Sequence, residues 1–241
     1  AVTPDELAAI LPLADGGPLH IHAAEQVREV EACIAWSGAR PVEWLLDHAD
    51  VDARWCLIHS THVDAHETAR LAASGAVAGL CPVTEANLGD GVFPAVDYLA
   101  AGGRFGIGTD SNILIDAASE LRAIEYSQRL TLRKRALLVD GAEPSVGATL
   151  FAKAQAGGAQ ALGVASGIAV GNAADIVSLD LQHPALVGAG SDLLDRWIFA
   201  ARPGAIDSVW RAGRKLVDHG RHIAADTIAD RYRRTVAALL A

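Results

Sequence analysis

Histidine, glutamate and aspartate close several short apolar runs of this chain, and their spacing sets the chemistry they could share. His20 and His22 lie two apart in PLHIHA, so on a strand both side chains point to one face. Such a pair can clip a metal ion, since imidazole suits zinc; it fits equally two buried, hydrogen-bonded histidines. Glu25 stands three residues beyond His22 and faces the other way if the strand continues. It joins His22 only if the strand has ended by Ala23, as a helix start near Gln26–Val27 requires. His59 ends RWCLIHS, in the layer of His22 if the two strands run parallel; taken alone it reads as a core or surface histidine. Asp110 ends GIGTDS, where an aspartate is costly to bury without a partner. A metal or a cluster of donors compensates it, or it N-caps the next helix. Two imidazoles and two carboxylates at one rim describe a metal-assisted hydrolytic site.

The elements that must position these residues alternate. PLHIHA (18–23), RWCLIHS (54–60), AVAGLCP (76–82) and RFGIGTDS (104–111) read as strands. Helical stretches separate them: EQVREVEACIAWSG (25–38), PVEWLLDHA opened by Pro41, DAHETARLAASG (64–75) closed by Gly75, and one around FPAVDYLAAGG (93–103). Strand followed by helix four times over predicts a parallel sheet with helical crossovers. Polar clusters follow the strands, HAAE, HSTH, CPVTE and TDSN, as at the C-terminal rim of a β/α barrel. A complete barrel needs eight such units, and four fit here. Helices over 120–138 and 145–163 follow. Then NAADIVSLDL (172–181) and DSVWRAGRKLVDHGRHI (207–223), with turns at Ala212-Gly213 and His219-Gly220, read as a small β unit. A helix around DLLDRWIFAA joins them, and TIADRYRRTVAALLA forms a last helix. The fold expected is α/β, with domains over 1–165 and 166–225 and a C-terminal helix over 226–241.

Composition narrows the function classes. The 241 residues are 51% hydrophobic and 20% charged, a globular balance able to bury a sizeable core. A formal charge of −9 weighs against nucleic-acid and anionic-membrane partners, and no run approaches a membrane span. Cys33, Cys56 and Cys81 are odd in number and read as reduced core thiols, which favours an intracellular, cytoplasmic setting. No signal-peptide pattern opens the chain, and it contains no methionine, so it reads as part of a longer polypeptide. No P-loop, dinucleotide fingerprint or nucleophile elbow occurs. The basic run at Arg129, Arg133, Lys134 and Arg135 reads as a solvated helix face, and His62 and His66 are unassigned.

HIHAAEQ, LIHSTH, CPVTEANLGDG and GIGTDS, in this order, resemble the amidohydrolase superfamily in its deaminase-like branch. The longer strings HIHAAEQVREVEAC, SGARPVEWLLD, CPVTEANLGDGVFPA and ELRAIEYSQRL are similar to the formimidoylglutamate deiminases, nearly from end to end. The resemblance implies the C-terminal half of a TIM-type (β/α)8 barrel, strands 5–8, followed by part of a small β-sandwich domain. It implies that His22 is a metal ligand of the fifth strand and Glu25 the acid/base that follows. His59 then faces the water and the substrate from the sixth strand, and Asp110 is both a metal ligand and a proton acceptor. His20 lies a layer deeper and is structural. The rival mapping, with His20 and His22 as the first-strand pair, fails because only three strands follow and the Glu25 spacing fits the fifth. The metal implied is Zn2+, with Fe2+ also compatible, and the substrate is N-formimino-L-glutamate. The partners implied are the missing N-terminal half of the same protein and a second copy in a homodimer. A purine or triazine deaminase and an inactive, fold-complementing fragment are the alternatives.

Overall fold

Capping chemistry marks out the helices. The computed structural model describes residues 2–241 except 113, 140, 142, 143 and 203. Thr3 and Glu6 form a reciprocal capping box that starts α1 (Pro4–Ile10), with proline at its first position. After β1 (Leu19–Ala23) come α2 (Val27–Ser37) and α3 (Pro41–His48). After β2 (Trp55–His59), Asp64 and Glu67 box the start of α4 (Ala65–Ser74), and Gly75 closes it at φ 78°. β3 (Val77–Leu80), α5 (Pro82–Leu88), α6 (Ala95–Ala100), β4 (Arg104–Ile107), α7 (Ala117–Leu132) and α8 (Val146–Leu162) complete the first of two units, Ala1–Ser166.

The four strands of this unit form one parallel sheet in the order β1-β2-β3-β4. Parallel strands need crossovers, and the helices between them supply these. Tyr98 on α6 is fully buried, and its hydroxyl donates to the carbonyls of Ala76 and Arg104 at 3.1 Å each, pinning the starts of β3 and β4. α8 packs on β4 and β3, so closely that a Cβ on Gly157 would lie 2.0 Å from the Phe105 carbonyl oxygen. Arg40 pairs with the buried Glu67 at 2.6 Å and also donates to the His62 carbonyl, tying α3, α4 and the loop after β2 together. Beside β1, which is an edge of the sheet, lies an apolar cavity of about 850 Å³. Val2, Leu7, Leu19, Ile21 and Trp44 are in its wall.

The second unit, Gly167–Ala241, is built on an antiparallel sheet of β5 (Ile176–Leu179), β6 (Ile206–Arg211), β7 (Arg214–Asp218) and β8 (Arg221–His222). Its hairpin turns have positive φ at both central residues, 50° and 77° at Ala212-Gly213 and 46° and 72° at His219-Gly220, matching the twist of the strands. α9 (Leu193–Phe199) and α10 (Ala225–Leu239) belong to this unit. Leu186, Ala201 and Ala205 form its small core.

Several elements differ from the sequence expectation. α1 and α5 are helices that the sequence pattern does not predict, because each is only seven residues long and lacks a full hydrophobic period. The helix expected over 120–138 begins at Ala117 and stops at Leu132. Arg133 is left-handed, and the Glu125 carboxylate accepts the N–H groups of Leu137 and Leu138, turning the chain back on the helix. Cys56 and Cys81 are buried as expected, while Cys33 is only half-buried. No helix among the described residues is long and apolar enough to cross a membrane.

The α8–β4 contact sets a test. Replacing Gly157 with Ala should cost about 3 kcal/mol or more in urea unfolding, because backbone cannot yield to the new methyl. The neighbouring Gly158→Ala, which meets open space, should be neutral or stabilise by up to about 1 kcal/mol. Equal effects at the two positions would disprove the close approach.

Candidate active site

Three strand ends converge, and each leaves its strand through a left-handed residue that is not glycine: Ala24 (φ 52°), His59 (φ 66°) with Ser60 (φ 51°), and Asp110 (φ 47°). Such conformations cost on the order of 1 kcal/mol or more and persist where the surroundings hold them. At β1 the holding group is Glu29 of α2, whose two carboxylate oxygens accept the N–H groups of Ala24 at 2.7 Å and Glu25 at 2.8 Å. The strand therefore ends at Ala23, and the Glu25 side chain comes to the His22 side of the site.

The register of β2 alone would not bring His59 to His22. Ala23, not His22, is the partner of His59, and His22 is paired with Ile58. Neighbouring residues on a strand face opposite ways, so a regular strand would send the two rings to opposite faces. The left-handed turn at His59 reverses this, and the rings stand 5.4 Å apart and tilted by 42°.

His59 is fully buried. Its Nδ1 lies 3.2 Å from Glu85 Oε1, the same oxygen that accepts the Cys81 N–H at 3.0 Å. Its Nε2 faces Glu25 Oε1 at 3.6 Å and Asp110 Oδ2 at 3.9 Å and has no hydrogen-bond partner among the described residues. Burial disfavours the imidazolium, but the Glu85 hydrogen bond and the charges of Glu25, Glu85 and Asp110 outweigh it and hold the pKa of His59 above its ordinary value.

Asp110 does not cap the following helix. Asp116 does so, accepting the Ser119 N–H at 2.9 Å, which leaves the Asp110 carboxylate free for the site. The Thr84 hydroxyl donates to the Thr109 carbonyl at 2.8 Å and ties α5 to the end of β4. Glu120, fully buried on α7, accepts the Val83 N–H at 2.9 Å and the Asn112 amide at 2.8 Å. Burial raises its pKa. Burial, then the charges of Glu85, Asp110 and Glu120, push the Cys81 thiol up to about 12, so it is no nucleophile at neutral pH. His20 stands apart: its Nε2 donates to the Ala161 carbonyl at 2.7 Å and fastens β1 to α8.

The structure thus brings His22, Glu25, His59 and Asp110 to one rim, with Glu85 and Glu29 as neighbours that sequence reasoning did not single out. Only the TE pair closing CPVTE hinted at Glu85. Among the described residues, no group of three or more His, Cys, Asp or Glu side chains is arranged to hold a metal ion. The donors present are nonetheless of the right kind: one imidazole and one carboxylate beside an unpartnered buried nitrogen.

The amidohydrolase family model matches residues 1–216. This chain belongs to the amidohydrolase family. Formimidoylglutamate deiminase of Pseudomonas aeruginosa is 50% identical over 243 aligned positions, which cover 100% of this amidohydrolase and 54% of that protein. The crystal structure of an amidohydrolase from Brucella melitensis superposes with a TM-score of 0.94 at 53% identity, over 100% of this chain and 53% of that one. An adenosine deaminase from Xanthomonas campestris, solved with bound zinc, superposes at 0.84 with 26% identity, over 99% and 55%. The chain spans about half the length of the relatives it matches.

The turn that presents Glu25 can be tested directly. Glu29→Ala removes the acceptor of two amides and should lower the unfolding free energy by about 2 kcal/mol, read from urea titration. Glu29→Gln, which keeps one acceptor oxygen, should lose clearly less. An unchanged midpoint for Glu29→Ala would mean that the turn is held by something else.

Proposed function

We propose that this chain carries half of a deiminase site that hydrolyses N-formimino-L-glutamate to N-formyl-L-glutamate and ammonia, a step of histidine degradation. The observation that carries the reading is the convergence of Glu25, Glu85 and Asp110 on His59. A formimino group is an amidine, cationic near neutral pH, and a rim of carboxylates attracts it. An aminopurine ring is neutral and gains little from the same field. The 50% identity to formimidoylglutamate deiminase supports the same choice.

His22 and Asp110 are the residues that would hold a metal. Zinc, as in the adenosine deaminase relative, or iron(II) would supply Lewis acidity that brings the pKa of water toward neutrality. His22 and Asp110 alone would not complete a zinc site, and the further protein ligands would have to come from polypeptide outside these residues, with one position left to water. Asp110 and the Nε2 of His59 orient the attacking water and take its proton. Glu25 delivers a proton to the departing nitrogen as the C–N bond breaks. Water is added, ammonia leaves, and the formyl carbonyl remains.

The four-stranded parallel sheet fits the role of strands 5–8 of a (β/α)8 barrel, with the second unit as part of a small β-sandwich domain. The open edge of β1 and its apolar cavity are where the N-terminal half of the protein would pack. A homodimer of the complete protein follows the family pattern.

The zinc-loaded complete protein should release ammonia from N-formimino-L-glutamate in preference to adenosine or guanine. Preference for a purine would replace this reading with a ring deaminase, and absence of both turnover and stoichiometric zinc would leave a non-catalytic module. Glu25→Gln should keep zinc, by elemental analysis, and lose roughly 100-fold or more in kcat. Asp110→Asn should lose metal and rate together; full zinc in that variant would remove Asp110 from the ligand set.

A further inference from the structure

We propose that Glu85 is the positioning residue of this site: it holds the His59 ring with a proton on Nδ1, so that Nε2 is the nitrogen presented to Glu25 and Asp110. The inference rests on His59 as the proton-handling group of the proposed hydrolase and extends it to a residue outside that set. Glu85 is 5% exposed and His59 is fully buried, so solvent does not compete for either. A carboxylate oxygen only accepts, and Glu85 Oε1 has both the Cys81 N–H at 3.0 Å and the His59 Nδ1 at 3.2 Å before it. The proton of that second contact therefore sits on Nδ1. In the neutral ring this leaves the lone pair on Nε2, the atom without a partner among the carboxylates.

Glu85 is itself held from several directions. It lies in the first turns of α5, where a carboxylate suits the helix dipole. Val83 before it is fastened to Glu120, and Thr84 to the Thr109 carbonyl. Asp110, the next residue after Thr109, thus shares one brace with the residue that orients His59. A role confined to capping the Cys81 amide would not need Oε1 on the histidine side. The left-handed His59 is what brings Nδ1 to that oxygen.

Two measurements on the complete, zinc-loaded protein test this. In 15N-histidine NMR, at a pH where the ring is neutral, His59 should carry its proton on Nδ1; a proton on Nε2 overturns the proposal, and this readout needs no substrate. In steady-state kinetics, Glu85→Leu should lower kcat roughly 100-fold with KM within about threefold. Glu85→Gln, whose amide oxygen can accept both the Cys81 N–H and Nδ1–H, should recover at least about tenfold of that loss. A Glu85→Leu enzyme with full kcat, or a folded Glu85→Gln enzyme as slow as Glu85→Leu, overturns it. If Glu85→Leu does not fold, the wild-type spectrum and a Glu85→Gln enzyme that keeps at least about a tenth of wild-type kcat decide. If a purine proves to be the substrate, the formimino reading fails while the same variants, assayed on the purine, still judge Glu85.

Discussion

A fully buried histidine ringed by carboxylates is the constraint on which the parallel-sheet unit depends. Burying an imidazole costs free energy unless its nitrogens find partners, and His59 has one nitrogen satisfied and one aimed into the site. The satisfied nitrogen requires Glu85, Glu85 requires α5 at a fixed angle, and α5 is fixed through Val83 and Thr84 to α7 and the end of β4. The left-handed backbone at His59 is the local cost of presenting that ring at the end of a parallel strand.

Other acids of this unit, the half-buried Glu29 and the buried Glu67, Glu120 and Glu125, solve the same problem at other corners. Glu29 takes the amides of Ala24 and Glu25. Glu67 takes those of Glu43 and Asp64 and pairs with Arg40. Glu120 takes that of Val83, and Glu125 those of Leu137 and Leu138 while pairing with Arg129. Each carboxylate is tolerated inside because backbone donors that would otherwise be unpaired converge on it. The result is a rim in which loops are braced by charge-assisted hydrogen bonds, the rigidity a reactive constellation needs. It also concentrates negative charge around His59, from Glu25, Glu85 and Asp110.

Much of this was legible in the residues. The four strands, though the third and fourth end at Leu80 and Ile107 rather than at 82 and 111, the longer crossover helices and both hairpin turns announced themselves by apolar runs, caps and Gly-containing turns, all local signals. His22, Glu25, His59 and Asp110 stood out because polar groups at the ends of apolar strands need a reason. Glu29, Glu85 and Glu120 did not, because a glutamate on a helix reads as solvated until something is shown to cover it. Their roles come from amides 4 to 37 residues away. Asp110 could have been a helix cap, and only the position of Asp116 settles that it is not.

By itself, then, the sequence determined the four parallel strands, the longer helices between them and the polar residues that follow the strands, because periodicity and capping act over a few residues. Only the tertiary structure decided how those residues meet. Strand register paired His59 with Ala23, and a left-handed turn was needed to bring its ring back to His22. Contacts with backbone amides turned three ordinary glutamates, the buried Glu85 and Glu120 and the half-buried Glu29, into the groups that hold the site in place. Register and burial arise from the packing of distant segments, and no local pattern of residue types encodes them.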